Sequence, residues 1–328
     1  MLRAVLCVLF IALASLASST IGAQVVRTAA GSVEFLGLEK WTPAEIQQRL
    51  GYASSDQLHY CAADLKKKLG FPEVAVVGYS EHGHRIAVVT VIEPDRAAEV
   101  VYRSQPSQHA ALSVGWESLK KFAKEPGFLE GGILDYGRNL PGSLADLPWL
   151  SDGTPQTWWP VLRSYRKKSD LKRAQQILGQ SDDSEARAVA AIVLMNFVSE
   201  DAAWRSLVSG LRDPNGLVQA TCWQALNSLA TYHPRKVDWA PAISDLVALL
   251  HGTDLFAFQF VLKTLTETKI DTALAGALLG HGGARLVVAY LGANHDEQRD
   301  LAHSFLVVVA GRDLGSDPTS WERWLALL

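Results

Sequence analysis

Histidine and cysteine are the residues best suited to chemistry in this sequence, which holds nine of the first and three of the second. His82 and His84 stand two apart in Glu81-His82-Gly83-His84, where Glu81 would be the third ligand of a zinc-type site. A polar hairpin turn accounts for the same three residues without a metal. His295-Asp296-Glu297 reads as a helix start, where acidic side chains meet the positive end of the helix dipole. His251 and His281 sit beside glycines at expected helix ends. Gly280-His281-Gly282-Gly283 has the glycines of a phosphate loop but neither its lysine nor a preceding strand. The sequence contains no HExxH, GxSxG or P-loop motif. Cys222 would be the candidate nucleophilic thiol, but it falls on a core-facing helical series. These residues name no catalytic, metal-binding or cofactor-binding site, and the expectation is a non-catalytic protein without a cofactor.

Charge narrows the partners. The chain of 328 residues has a formal net charge of -3. A nucleic-acid binder of this size carries a basic stripe. Here only Arg163, Arg166, Lys167, Lys168, Lys172 and Arg173 cluster, and they read as the solvated face of a linker helix. Nucleic acid is therefore not an expected partner. Cys61 and Cys222 lie in different expected domains, each on an apolar helical position where a thiol packs as a small hydrophobe. There is no CxxC motif.

Residues 1–23 read as a secretory signal peptide. Arg3 supplies the charged start, Ala4 to Leu16 the apolar core, and Ser15 to Ala23 the small residues around a cleavage site after Ser19 or Ala23. The apolar run is short for a membrane span; an uncleaved anchor is the alternative. The expected destination is the periplasm or the medium, with no integral span after cleavage.

Residues 32–94 form a small α+β unit in the order β-α-α-β-β. Thr42-Pro43-Ala44-Glu45 is a helix start with a capping pair, and Gly51 ends that helix. A second helix opens at Ser55 or Asp56, carries Leu58, Cys61, Leu65 and Leu69 on one face, and stops at Gly70. Strands over Val74 to Val77 and Arg85 to Ile92 flank a turn. The helix running into Gly70-Phe71, the hairpin and the closing Val91-Ile92-Glu93-Pro94 resemble a POTRA (polypeptide-transport-associated) domain. The resemblance implies partner recognition by adding a strand to a sheet edge. Arranged as in that family, Val74 to Tyr79 is the free edge, with Val74, Val76 and Tyr79 as contact residues. A spacer domain without a ligand is the other reading.

Residues 95–165 form a connecting segment with a short helix over Ser113 to Lys124. Its end is rich in glycine and proline and carries Trp149, Trp158 and Trp159. Three clustered tryptophans argue for a segment folded back onto its neighbour; exposed indoles of Trp158 and Trp159 meeting a partner are the alternative.

Residues 166–328 repeat. Leu211 is followed by Val218, Cys222 and Leu226, and Leu250 by Ala257, Val261 and Leu265. Leu291 is followed by Gln298, Ala302 and Leu306, so one apolar position is lost. Leu178, with one inserted residue, is followed by Ala186, Ala190 and Leu194. The leucines stand 33, 39 and 41 residues apart, steps typical of helical-hairpin arrays. The Leu…Asp-Pro…Val…Cys…Leu series at 211–226 and its copies resemble bacterial HEAT repeats, also called phycobilisome-lyase-like. So does the end, with Gly311-Arg312-Asp313-Leu314-Gly315 before the capping helix at Trp321 to Leu325. The resemblance implies an α-solenoid that leaves an open trough. Trp223, beside the buried stripe, either fills the interface to the next hairpin or anchors a partner on the groove.

The expected fold is therefore α-dominant and multidomain: a POTRA-like module before a HEAT-like α-solenoid. The expected function is an exported bacterial adaptor or scaffold that binds protein partners of the cell envelope. The alternatives are an enzyme or enzyme accessory, lyase-like, with a site between the solenoid and the Trp-rich segment, or a structural envelope protein.

Overall fold

The computed structural model describes residues 23–81, 83–123, 132–140 and 154–328. The stretch read as a leader lies outside these apart from Ala23, as do His82 and Trp149. The chain is helix-rich, with one four-stranded sheet near its N-terminus.

The small unit starts its first helix, α1 (Pro43–Leu50), as the capping pair requires. The Glu45 amide donates to the Thr42 hydroxyl and the Thr42 amide donates back to the Glu45 carboxylate. Gly51 closes the helix in the left-handed region, at φ 68. The single second helix expected from Ser55 is split into a 3-10 turn, Ser55–Tyr60, and α2 (Ala62–Leu69). Ser54 and Gln57 cap each other across that tight turn, which favours the three-residue period. Leu58, Cys61 and Leu65 still enter one core.

The strands β2 (Gly31–Leu36), β3 (Glu73–Glu81) and β4 (His84–Ile92) supply the expected order. The structure adds β1 (Gln24–Thr28), which pairs antiparallel with β2. The order along the chain is thus ββααββ, and the sheet runs β1-β2-β4-β3 with β2 and β4 parallel. Val25 and Val26 gave little strand signal, because they stand alone between polar residues after a stretch that reads as leader.

The C-terminal half is built from helix pairs. α6 (Lys168–Gln180) pairs with α7 (Ser184–Leu194), α8 (Asp201–Gly210) with α9 (Gly216–Tyr232), and α10 (Ile243–Leu250) with α11 (Phe258–Glu267). In the last pair, α12 (Ala275–Leu279) and α13 (Arg285–Leu291) precede α14 (Asp296–Ala310). The glycines at 280–283 make that break: a β-carbon at Gly283 would come within 2.1 Å of the Leu278 carbonyl oxygen. The second helices pack in a row, α7 on α9 on α11 on α14, and α6, α8, α10 and α12 form a parallel row. The four leucines and the twelve positions that follow them are all buried, Gln298 included. α15 (Pro318–Leu325) packs on α13 and buries Trp321.

The sheet is buried on both faces, and this joins the two halves. One face carries Val33, Phe35, Val74, Ala87, Val89 and Val91 onto α1, the 3-10 turn and α2. The other sends Leu36, Ala75, Val88 and Ile92 into the core of the helical array. The sheet and the chain beyond it then follow the turns of the pairs in reverse order. Glu34 accepts from the amides of Asn294 and His295 at the fourth turn. Ile92 packs against Gly252, and the Val101 amide donates to Thr253 Oγ1 at 2.8 Å, at the third. Arg103 pairs with Asp213 at the second. Gln108 exchanges backbone hydrogen bonds with Gln180 and Asp182 at the first.

The connecting segment continues this cover. α3 (Val114–Ala123) and α5 (Thr154–Arg163) pack on α7, and α4 (Ile133–Arg138) packs on α9. The open trough implied by the HEAT resemblance is thus occupied along the turns, over α7 and over the part of α9 that α4 meets. An array of pairs must bury its terminal faces, and here the N-terminal half covers the turns, α7 and part of α9.

Candidate partner-binding surface

The six residues singled out as partner contacts divide by environment. Val74 and Val76 point into the helix-facing core of the sheet, Val74 being buried and Val76 half-buried. Tyr79 lies on the opposite face, as the alternation of a strand requires. Its ring stacks on His295 with centroids 3.9 Å apart, and its hydroxyl accepts from Gln298 Nε2 at 2.5 Å. None of these three side chains is free for a partner. What β3 offers is its outer backbone edge, since among the described residues it is the last strand of the sheet and pairs with β4 alone.

Trp158 and Trp159, named as partner contacts, are core residues at 2 % and 0 % exposure, so the folded-back reading of their segment holds for them and the exposed one does not. They meet edge to face at 5.8 Å, and Tyr136 on α4 closes the cluster at 5.8 and 5.6 Å. Indoles in a glycine- and proline-rich segment bury more area than any other side chain could, and here they pin the cover to α7.

Trp223 keeps a partly exposed position. It stacks nearly parallel on Phe260 at 4.4 Å and 13°, and Phe256, 44 % exposed, leans on it at 5.7 Å. Trp223, Asn227 and Thr231 are spaced by four on α9, so they share one ridge. Lys263 on α11 reaches across to that ridge, donating to Asn227 Oδ1 at 2.9 Å and Thr231 Oγ1 at 2.8 Å. The product is a flat aromatic ledge with a polar, cationic rim between α9 and α11. Sequence reading missed Phe256 and Phe260. Their signal was the spacing of four, one position behind the core series Ala257 and Val261.

The residues suited to chemistry do not converge. His84 is exposed, and His281 is exposed with a left-handed backbone. Among the described residues no group of three or more His, Cys, Asp or Glu could hold a metal ion. Burial pushes the Cys61 thiol up to about 12 and the Cys222 thiol further, so neither is a thiolate at neutral pH. Between the array and its cover, Leu140, Arg166, Asn196, Val198 and His233 line an open hollow of about 260 Å³. Its polar rim is cationic, from Arg166, with both Asn196 amide hydrogens already spent on Leu162 and Tyr165 carbonyls.

Among the described residues no helix is long and apolar enough to cross a membrane. Compared with protein-family models, with curated proteins and with solved structures, the chain matches none.

Proposed function

We propose that this protein is a non-catalytic adaptor, exported to the cell envelope, that binds a protein partner on the Trp223–Phe256–Phe260 ledge. The ledge carries the reading: Phe256 holds a large apolar side chain in solvent beside two stacked rings, the kind of aromatic cluster that anchors interfaces. The outer edge of β3 is the second contact, reading a partner strand by main-chain hydrogen bonds. The repeated buried positions support a HEAT-like array, and the strand and helix order with Gly70-Phe71 supports a POTRA-like module. The leader-like residues 1–23 support export.

The test is affinity capture from envelope extracts with wild type, Phe256→Ser and Trp223→Ala, each first shown to melt like the wild type. Species held by the wild type and lost from both variants support the adaptor reading. Identical capture by all three removes the ledge from it.

A further inference from the structure

The third turn of the array holds a carboxyl group in an unusual setting. Asp254 is 5 % exposed. Its backbone is left-handed, at φ 55, a region that Asp and Asn enter more readily than other side chains. Oδ1 accepts from the Ala257 amide at 3.2 Å, where the chain enters α11. Oδ2 is buried and has no hydrogen-bond partner among the described residues.

Among the described residues the cation that acts on it, Lys66, is bonded to another carboxylate. On β3, Glu73 is 8 % exposed; it accepts from Lys66 Nζ at 2.8 Å and from the Tyr102 hydroxyl at 2.9 Å. Lys66, on α2, is thus spent on Glu73. The connecting strand brings Tyr102, whose own acidity burial suppresses, and α9 brings the neutral Cys222 thiol. His251, at the other end of the turn, faces Glu99, Arg96, Arg285 and His281. An ionised Asp254 would be a second buried negative charge beside Glu73 with one oxygen bare. Burial first, then Glu73, raise its pKa to about 7, against the pull of the Ala257 and Phe256 amides and Lys66.

We propose that this junction is an acid-tightened clasp: with the Asp254 carboxyl protonated, the turn 252–254 seats against the sheet and the connecting strand, and ionisation loosens that seat. Its neighbours in the turn make the contacts that would give way. Thr253 accepts from the Val101 amide, and Gly252 lies so close to Ile92 that a β-carbon there would meet it at 2.2 Å. For Asp254 to turn its charged carboxylate to water, Gly252 must lift off the sheet and Thr253 off the connecting strand. The inference does not depend on what the protein binds.

The sign follows from linkage. A carboxyl raised above its ordinary 3.8 contributes stability that is complete below that value and is lost as pH rises through about 7. His251 acts oppositely. Burial lowers its pKa, so its contribution is present above 6.5 and is lost as pH falls through the lower folded value. His59, buried under the sheet and also lowered, follows His251.

The test is hydrogen exchange of the full chain, corrected for intrinsic rates, at about pH 5.5 and about pH 8.5. In the wild type, opening of amides 252–258 rises about 10- to 30-fold at the higher pH. Asp254→Asn, which keeps the shape and the left-handed backbone, abolishes that rise. Glu73→Gln, which removes the facing charge, moves the midpoint to lower pH. Equal wild-type protection at both values overturns the clasp, and so does an undiminished rise in Asp254→Asn. Should that variant not fold, an unmoved midpoint in Glu73→Gln overturns it alone.

Discussion

Gln298 Nε2 donates to the Tyr79 hydroxyl at 2.5 Å, tying the first turn of α14 to the edge strand of the sheet. Gln298 is also the position where the repeat loses its apolar residue, and it is buried. Its Oε1 lies 2.6 Å from His295 Nδ1, so both ends of the amide are used. The break in the repeat is therefore a contact between the two halves of the molecule. Gln298→Leu would restore the repeat pattern and remove a donor to the Tyr79 hydroxyl. The expected cost is about 1–2 kcal/mol in urea unfolding. Tyr79→Phe in the same chain should recover part of it, and additive losses would show that the pair is not coupled.

Glu34, on β2, makes a related bond two strands away. Its carboxylate, 2 % exposed, accepts from the Asn294 side chain and from the amides of Asn294 and His295, which precede α14. A carboxylate at that end of a helix satisfies orphan amides and meets the positive dipole. Glu34→Ala should cost about 1–3 kcal/mol, because it leaves the amide of buried His295 without its acceptor. The loss should appear as faster exchange at 294–298, with α1 and α2 unaffected.

Arg187 and Asp213 form a two-pronged ion pair between the first and second helix pairs, both bonds at 2.8 Å and both side chains at 0 % exposure. Asp213 further accepts from the Asn215 amide, and Arg187 from its side donates to the Ser181 carbonyl. Removing one partner leaves a buried charge unmatched. Asp213→Ala should therefore destabilise by about 3–5 kcal/mol. A double variant, Arg187→Met with Asp213→Leu, should be less damaging than Asp213→Ala alone, because the cation it still leaves unmatched, Arg103, is partly exposed whereas Arg187 is fully buried. Chemical denaturation of the three chains orders them.

What was legible in the sequence was what depends on local periodicity. The leucine series located every helix pair, and Gly280, Gly282 and Gly283 located the break in the fourth. Thr42 and Gly51 marked both ends of α1. What stayed hidden was how one unit covers another. The signal was present in part: Val88-Val89-Thr90-Val91-Ile92 runs apolar without alternation, as a strand buried on both faces does. Glu34 and Thr90 masked it, because each is a polar residue satisfied across the junction, Thr90 by the Tyr290 hydroxyl at 3.1 Å. Trp158 and Trp159 carried two readings for a related reason, since an indole reads alike as an anchor or as core until its neighbours are placed.

The two buried thiols can report whether the halves come apart together. Cys61 lies in the core between sheet and α2, Cys222 in the array, and both are fully buried. Burial holds each as a thiol, so neither attacks a disulfide reagent until it is exposed. In a chain beginning at Gln24, mixing with an aromatic disulfide should give no fast phase in native buffer. The slow reaction then counts opening events. The sheet buries its second face on the array, so loss of the array strips Leu36, Ala75, Val88 and Ile92 of their cover. Both thiols should therefore react at one rate in mild denaturant, measured by mass spectrometry of each labelled peptide. Labelling of Cys222 well ahead of Cys61 would instead show that the small unit keeps its fold after the array has opened.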